Sequence, residues 1–86
     1  MKIKLKLFGF PEVERAVGGQ EINLEFEGNT YGDLLNYLHN TYGEPIKKTL
    51  WRQILRNGKE WIKKDDLAHS LQDGDQLTFL QMVAGG

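Results

Sequence analysis

Residues 2–8 read KIKLKLF, and the only regular structure that suits this pattern is a half-buried strand. Strict alternation puts Ile3, Leu5 and Leu7 on one face and Lys2, Lys4 and Lys6 on the other, matching the two-residue side-chain period of a strand. The run QEINLEFE at 20–27 alternates in the same sense, with Ile22, Leu24 and Phe26 inward and Glu21, Asn23, Glu25 and Glu27 toward water. Paired antiparallel, the two strands set lysines against glutamates, and each opposite-charge pair contributes roughly 0.2–1 kcal/mol. The wet face is therefore self-complementary, and the dry face needs a cover.

The stretch NTYGDLLNYLHNTYGEP at 29–45 supplies that cover. Thr30 followed by Asp33 has the spacing of a capping box, Leu34, Leu35, Leu38 and Tyr42 form an apolar stripe, and Gly43 then Pro45 end the helix. Gly32 in the first turn costs about 1 kcal/mol of helix propensity. Between the first two strands, GFPEVERAVGG is too long for a tight hairpin. Pro11 suits a first helical position, Glu12 and Glu14 suit the positive end of a helix, and Gly18-Gly19 can close it after a turn or two.

Farther on, Asn57-Gly58 is a strong hairpin signal between a strand at 53–56 and a short strand at 60–62. Asp73-Gly74-Asp75 then turns the chain into a last strand, QLTFLQMV at 76–83. Leu77 and Phe79 point one way, and Leu80 and Met82 the other. The order strand, strand, helix, strand, short strand, strand predicts an α+β fold, a mixed sheet of about five strands with one main helix packed on one face.

The chain has 86 residues, 40% hydrophobic and 27% charged, and this balance supports one small packed domain over residues 1–86. A net charge of −1 with interspersed signs offers no basic stripe for nucleic acid and no polybasic membrane anchor. No apolar run is long enough to span a bilayer, and the lysine-alternating start is no signal peptide, so a cytoplasmic location is expected. Cysteine is absent, which removes disulfides, thiolate metal sites and a cysteine nucleophile.

The sequence closes on VAGG, with a tail expected to be flexible from about 82 to 86. Gly85 and Gly86 have nothing to pack and carry a large ordering entropy, so their use lies outside the core. The order of elements, the run LQDGDQLTFLQMVAGG and the two last glycines resemble the ubiquitin-like β-grasp sulfur carriers of the MoaD/ThiS type. Within that family the similarity is to the branch of the molybdopterin synthase small subunit. It extends over nearly the whole chain, through LFG, VERAVG and RNGKEWI to the tail. Gln81-Met82 stand where the family often has two prolines, whereas the PEVERAVGG insertion and the length suit the molybdopterin branch.

The resemblance implies that Gly86 is the atom-bearing end. A carboxylate resists nucleophiles until it is converted to an acyl-adenylate; a persulfide can then displace AMP, and a thiol that reduces the resulting acyl disulfide leaves a thiocarboxylate that supplies sulfur for the molybdenum or tungsten cofactor. Without a thiol, the chain can carry that sulfur only at Gly86. The implied partners are an E1-like adenylating enzyme, a desulfurase or rhodanese-type sulfur donor, and the large synthase subunit, into whose active site Val83, Ala84, Gly85 and Gly86 would enter. ATP would be used by the activating partner, no cofactor or metal would be bound by this chain, and no catalytic residue is assigned to it. Leu80 and Met82 would form an apolar partner surface beside the tail. The same activation chemistry would serve a protein modifier joined to lysines through Gly86, or sulfur delivery to thiamine, cysteine or transfer RNA.

Other side chains have plainer readings. His39 and His69 have no second histidine at ligand spacing, so neither is assigned to a metal. Asp65 and Asp66 are adjacent, which points their carboxylates apart, so solvation accounts for them; Trp51 and Trp61 lie in no basic groove, and core or interface packing accounts for them.

Overall fold

The computed structural model describes residues 1–49 and 53–80. Five strands form one mixed sheet in the order β2-β1-β5-β3-β4, as the ubiquitin-like β-grasp requires. Strand β1 (Lys2–Phe8) lies between antiparallel β2 (Glu21–Glu25) and parallel β5 (Gln76–Leu80). Strands β3 (Ile54–Arg56) and β4 (Glu60–Ile62) complete the other side, with β3 antiparallel to β5. Alternation decides the faces as expected: Ile3, Leu5, Leu7 and Leu24 are buried, and Phe26 is buried one residue past β2. The charge pairing is as expected at two positions, with Lys2 opposite Glu25 and Lys6 opposite Glu21, and diagonal at the third. Lys4 stands opposite Asn23 in register, yet its ammonium reaches Glu21 at 3.0 Å on the diagonal.

Three helices contribute to the covered side. Helix α1 (Pro11–Val17) starts on a proline, and Glu14 accepts from the Phe10 N–H at 3.0 Å where no side-chain cap is present at Phe10. Helix α2 (Tyr31–Tyr42) has the reciprocal capping box read from the sequence: the Asp33 N–H donates to Thr30 Oγ1 at 3.1 Å, and Asp33 Oδ2 accepts from the Thr30 N–H at 3.2 Å. Hydrogen bonds to Asp33, first from the Asn29 N–H and then from Thr30, hold its carboxyl below the usual range. The remaining first-turn donors of α2 are met from elsewhere: Tyr31 and Gly32 N–H bond to the His69 and Leu67 carbonyls at 2.9 and 2.8 Å. This contact explains Gly32, since a Cβ there would sit 3.0 Å from the Leu67 oxygen.

One element departs from the sequence reading. Gly43 ends α2, but Pro45 falls inside the first turn of a further helix, α3 (Glu44–Thr49), where its missing N–H costs nothing. Ile46 on α3 is fully buried. The core thus runs from the inner sheet face through Leu5, Leu7, Leu77 and Phe79 to Tyr31, Leu34, Leu35 and Leu38 of α2. The Phe10 and Phe79 rings meet edge to face with centroids 6.4 Å apart. Among the described residues no helix is long and apolar enough to cross a membrane.

Candidate functional site

The last strand is held in mid-sheet and fixed hardest at its start. Asp75 is 5% exposed, and its carboxylate accepts from Arg56 Nε at 2.8 Å, Asn57 Nδ2 at 3.1 Å and the Gln72 N–H at 2.8 Å. Burial alone would raise its pKa, but the bonds from Gln72, Asn57 and Arg56 outweigh burial and keep the carboxyl below the usual range. The pairing with Asp75, together with Glu60, raises the Arg56 pKa in turn. Asn57 is the turn residue expected from the sequence, held at φ 52° with Gly58 at 71°. It adds a second clamp, accepting from the Gln76 N–H at 2.8 Å while its own N–H donates to the Gln76 carbonyl at 2.7 Å. The hairpin of β3 and β4 is therefore pinned to the first residue of β5, a strand flanked by β3 at Leu77 and Thr78 and by β1 as far as Leu80.

The sheet face turned away from the helices is of two kinds. Over β1 and β2 it is charged, with Lys2, Lys4 and Lys6 facing Glu25, Asn23 and Glu21. Toward the end of β5 it becomes apolar. Phe8 is 45% exposed and opposite half-buried Leu80, and Thr78 links through half-buried Leu55 to Trp61, also 45% exposed. Leu80 lies on the face expected for it, opposite buried Leu77 and Phe79. Its expected companion Met82, and Val83, Ala84, Gly85 and Gly86, lie outside the described residues. Phe8, Leu55 and Trp61 were not assigned to this surface from the sequence. The signal existed: Phe8 falls on the lysine parity of β1, where an apolar residue breaks the rule.

The other candidates have local partners. His69 Nδ1 is 3.0 Å from Asp66 and its Nε2 is 3.4 Å from Glu60, on opposite sides of the ring. Those carboxylates bracket an imidazole and do not converge on a point. Among the described residues no cluster of three or more histidine, cysteine, aspartate or glutamate side chains could hold a metal ion.

The ThiS family model matches residues 6–86, all but the first five positions. The chain belongs to the ThiS family. Solved structures give this ThiS-family protein its fold by an independent route. Small archaeal modifier protein 1 from Methanosarcina acetivorans is 26% identical with a TM-score of 0.66, over 99% of this chain and 96% of that one. The protein of the same name from Haloferax volcanii is 22% identical with a TM-score of 0.65, over 95% and 98%. A protein assigned as molybdopterin converting factor, subunit 1, from Pyrococcus furiosus is 21% identical with a TM-score of 0.66, over 96% and 99%. No curated protein matches the chain significantly. The ThiS-family protein is thus a ubiquitin-like β-grasp protein of the MoaD/ThiS type, a carrier or modifier by family, with an apolar patch beside the end of β5.

Proposed function

We propose that the protein carries sulfur as a thiocarboxylate on Gly86, formed through an acyl-adenylate, and delivers it as the small subunit of molybdopterin synthase. The observation that carries this reading is the family match running through Gly85 and Gly86. The fold's part is mechanical. A partner must draw residues 83–86 into a narrow cleft, and a strand clamped at Asp75 and bonded on both sides gives that tail a rigid base. Nothing in such a scheme asks this chain for an acid, a base or a metal; ATP and the reacting groups belong to the adenylating enzyme, the sulfur donor and the large subunit. Intact mass of protein purified from its host is expected to show a fraction heavier by the difference between sulfur and oxygen. Absence of that species with the adenylating enzyme and donor supplied would end the proposal.

The patch of Phe8, Leu55, Trp61 and Leu80 is the proposed grip for those partners, because large exposed side chains grouped beside a working tail are costly in water and useful at an interface. Phe8→Asp, at an exposed position, is expected to leave the melting temperature nearly unchanged and to weaken binding to the adenylating enzyme or the large subunit by roughly tenfold or more. Leu80→Asp should act in the same direction. Calorimetry with each partner reads it; unchanged affinity for both removes the patch from the scheme.

A second reading has its own support in the likeness to the small archaeal modifier protein of Methanosarcina acetivorans. Here Gly86 would end as an isopeptide on a lysine of another protein. Gly-Gly remnants on host lysines that vanish when this chain is deleted would establish that use.

A further inference from the structure

We propose that the free edge of β2 is a docking site for an extended basic segment of a partner protein, which adds to the sheet as a further strand with lysine or arginine at alternate positions. The proposal goes beyond sulfur carriage and does not depend on it. Strand β2 ends the sheet, with β1 on one side only. Its hydrogen-bond phase is fixed at both ends: Met1 and Phe26 exchange bonds of 2.7 and 3.0 Å, and the Leu7 N–H reaches the Gln20 carbonyl at 2.8 Å. In an antiparallel ladder the pairs alternate, so Ile22 and Leu24 turn their backbone groups toward β1, and Glu21, Asn23 and Glu25 turn theirs away. Among the described residues nothing bonds to those outward groups. A row of unpaired donors and acceptors is a template for another strand.

The side chains flanking this edge state what that strand must look like. On the outer face Glu21, Asn23 and Glu25 are exposed, with Glu21 already paired to Lys4. On the inner side Ile22 and Tyr37 are half-buried against the core. At the end of β2 a groove of about 590 Å3 opens between the strand and α2, lined by Glu25, Phe26, Glu27, Asp33 and Tyr37 among others. The Phe26 and Tyr37 rings lie 5.7 Å apart at its floor. The Met1 ammonium lies there too, but it is bound to the Phe26 carbonyl, and the three carboxylates leave the groove net negative. A strand laid on this edge would meet carboxylates with its outward side chains and apolar surface with its inward ones. That is the pattern β1 presents to the opposite edge of β2, lysine alternating with an aliphatic residue.

A second copy of the chain fits badly. Two β2 edges paired about Asn23 would set Glu21 against Glu25 at both ends, and like charges directly opposite destabilise a ladder. The one strand with the required pattern, β1, is already bonded on both edges.

The test titrates the isotopically labelled full chain with the peptide acetyl-Lys-Val-Lys-Val-Lys-Val-Lys-amide, with the glutamate-for-lysine peptide as its counterpart. At saturation the amides of Glu21, Asn23 and Glu25 are expected to exchange with solvent about tenfold more slowly, while Ile22 and Leu24 change little. Asn23→Pro removes an N–H that faces water and none that β1 uses, and is expected to abolish that protection. Glu21→Gln with Glu25→Gln removes both charges without setting like charges against Lys2 and Lys6, and should weaken the peptide about fivefold at low salt, the difference shrinking at high salt. If Asn23→Pro does not fold, this pair decides. The proposal is overturned by equal binding of the glutamate peptide, by protection confined to Phe8, Leu55 and Trp61, or by concentration-dependent protection of the β2 edge without peptide, which would give the edge to a second copy. A chain lacking Gly85 and Gly86 should titrate identically, so the result stands apart from the sulfur chemistry.

Discussion

Removing Gly85 and Gly86 is expected to abolish thiocarboxylate formation without lowering the melting temperature. Two residues of extended chain span about 7 Å, so the new terminal carboxylate at Ala84 would stop that far short of a nucleotide held in a partner's cleft. Misplacing a reacting atom by about 1 Å can already cost on the order of a hundredfold, so the loss should exceed what an assay of adenylation detects. The fold should not notice, because the last core side chain among the described residues is Phe79. Gly86→Ala is the sharper variant. It preserves the reach and adds only a Cβ, restricting the backbone angles at the atom to be activated. Its adenylation rate should fall while its affinity for the adenylating enzyme, set by the patch around Phe8, holds. Pyrophosphate exchange and calorimetry separate the two quantities. Full adenylation of the shortened chain would show that Gly86 is not the working residue.

The parts of this fold that were legible in the sequence are those governed by neighbours in the chain. Period-two alternation with one buried face fixes which side chains of β1 and β2 point inward, because a slip by one residue would drive Lys2, Lys4 and Lys6 into the core. Thr30 and Asp33 announce the start of α2 because the capping box is local, and Asn57-Gly58 announces a turn because both residues tolerate positive φ. Helix α3 was hidden for the same reason that the others were visible. Gly43-Glu44-Pro45 reads as a stop, and the six residues of α3 are too few to show a period; Ile46 alone among its first three side chains is buried. The role of Gly32 was equally unreadable, since the Leu67 carbonyl that excludes a side chain there comes from a distant loop.

For the candidate site, the family was legible in the sequence and the surface was not. Gly86 stands out because the glycine pair has no side chains to pack, and the family match extends over it. The apolar patch depends on four strands coming together. Phe8, Leu80, Leu55 and Trp61 become neighbours only after β1 pairs parallel with β5 and β3 pairs antiparallel with it. Parity within β1 marks Phe8 as outward, but only the register tells that Leu80 stands beside it.

Asp75→Ala is expected to be the most damaging single change to a polar side chain in this protein, costing roughly 3 kcal/mol. Asp73-Gly74-Asp75 looks like an ordinary turn, yet the two aspartates have unlike positions. Asp73 is exposed and accepts from the Lys2 N–H, whereas Asp75 is 5% exposed and receives three donors from Arg56, Asn57 and Gln72. Alanine would strand all three. The Arg56 side chain is only 17% exposed and would keep Glu60, at 3.1 Å, as its remaining partner. Asp75→Asn should cost less, because the amide retains one acceptor and the shape, but its NH2 would face the guanidinium. For a domain of this size a loss of about 3 kcal/mol lowers the melting temperature by roughly 12–24 °C. The same carboxylate sets an acid limit. Its folded pKa lies below the unfolded value, so its contribution is present above the unfolded pKa and is lost as pH falls through the folded one. Wild-type stability should therefore decline as pH is lowered past about 4. Asp75→Asn should flatten that part of the profile, and the two curves should converge toward acid. Parallel curves from neutral pH downward would mean that some other carboxylate governs the acid limit, and that the hairpin of β3 and β4 does not depend on the Asp75 charge to hold the base of β5.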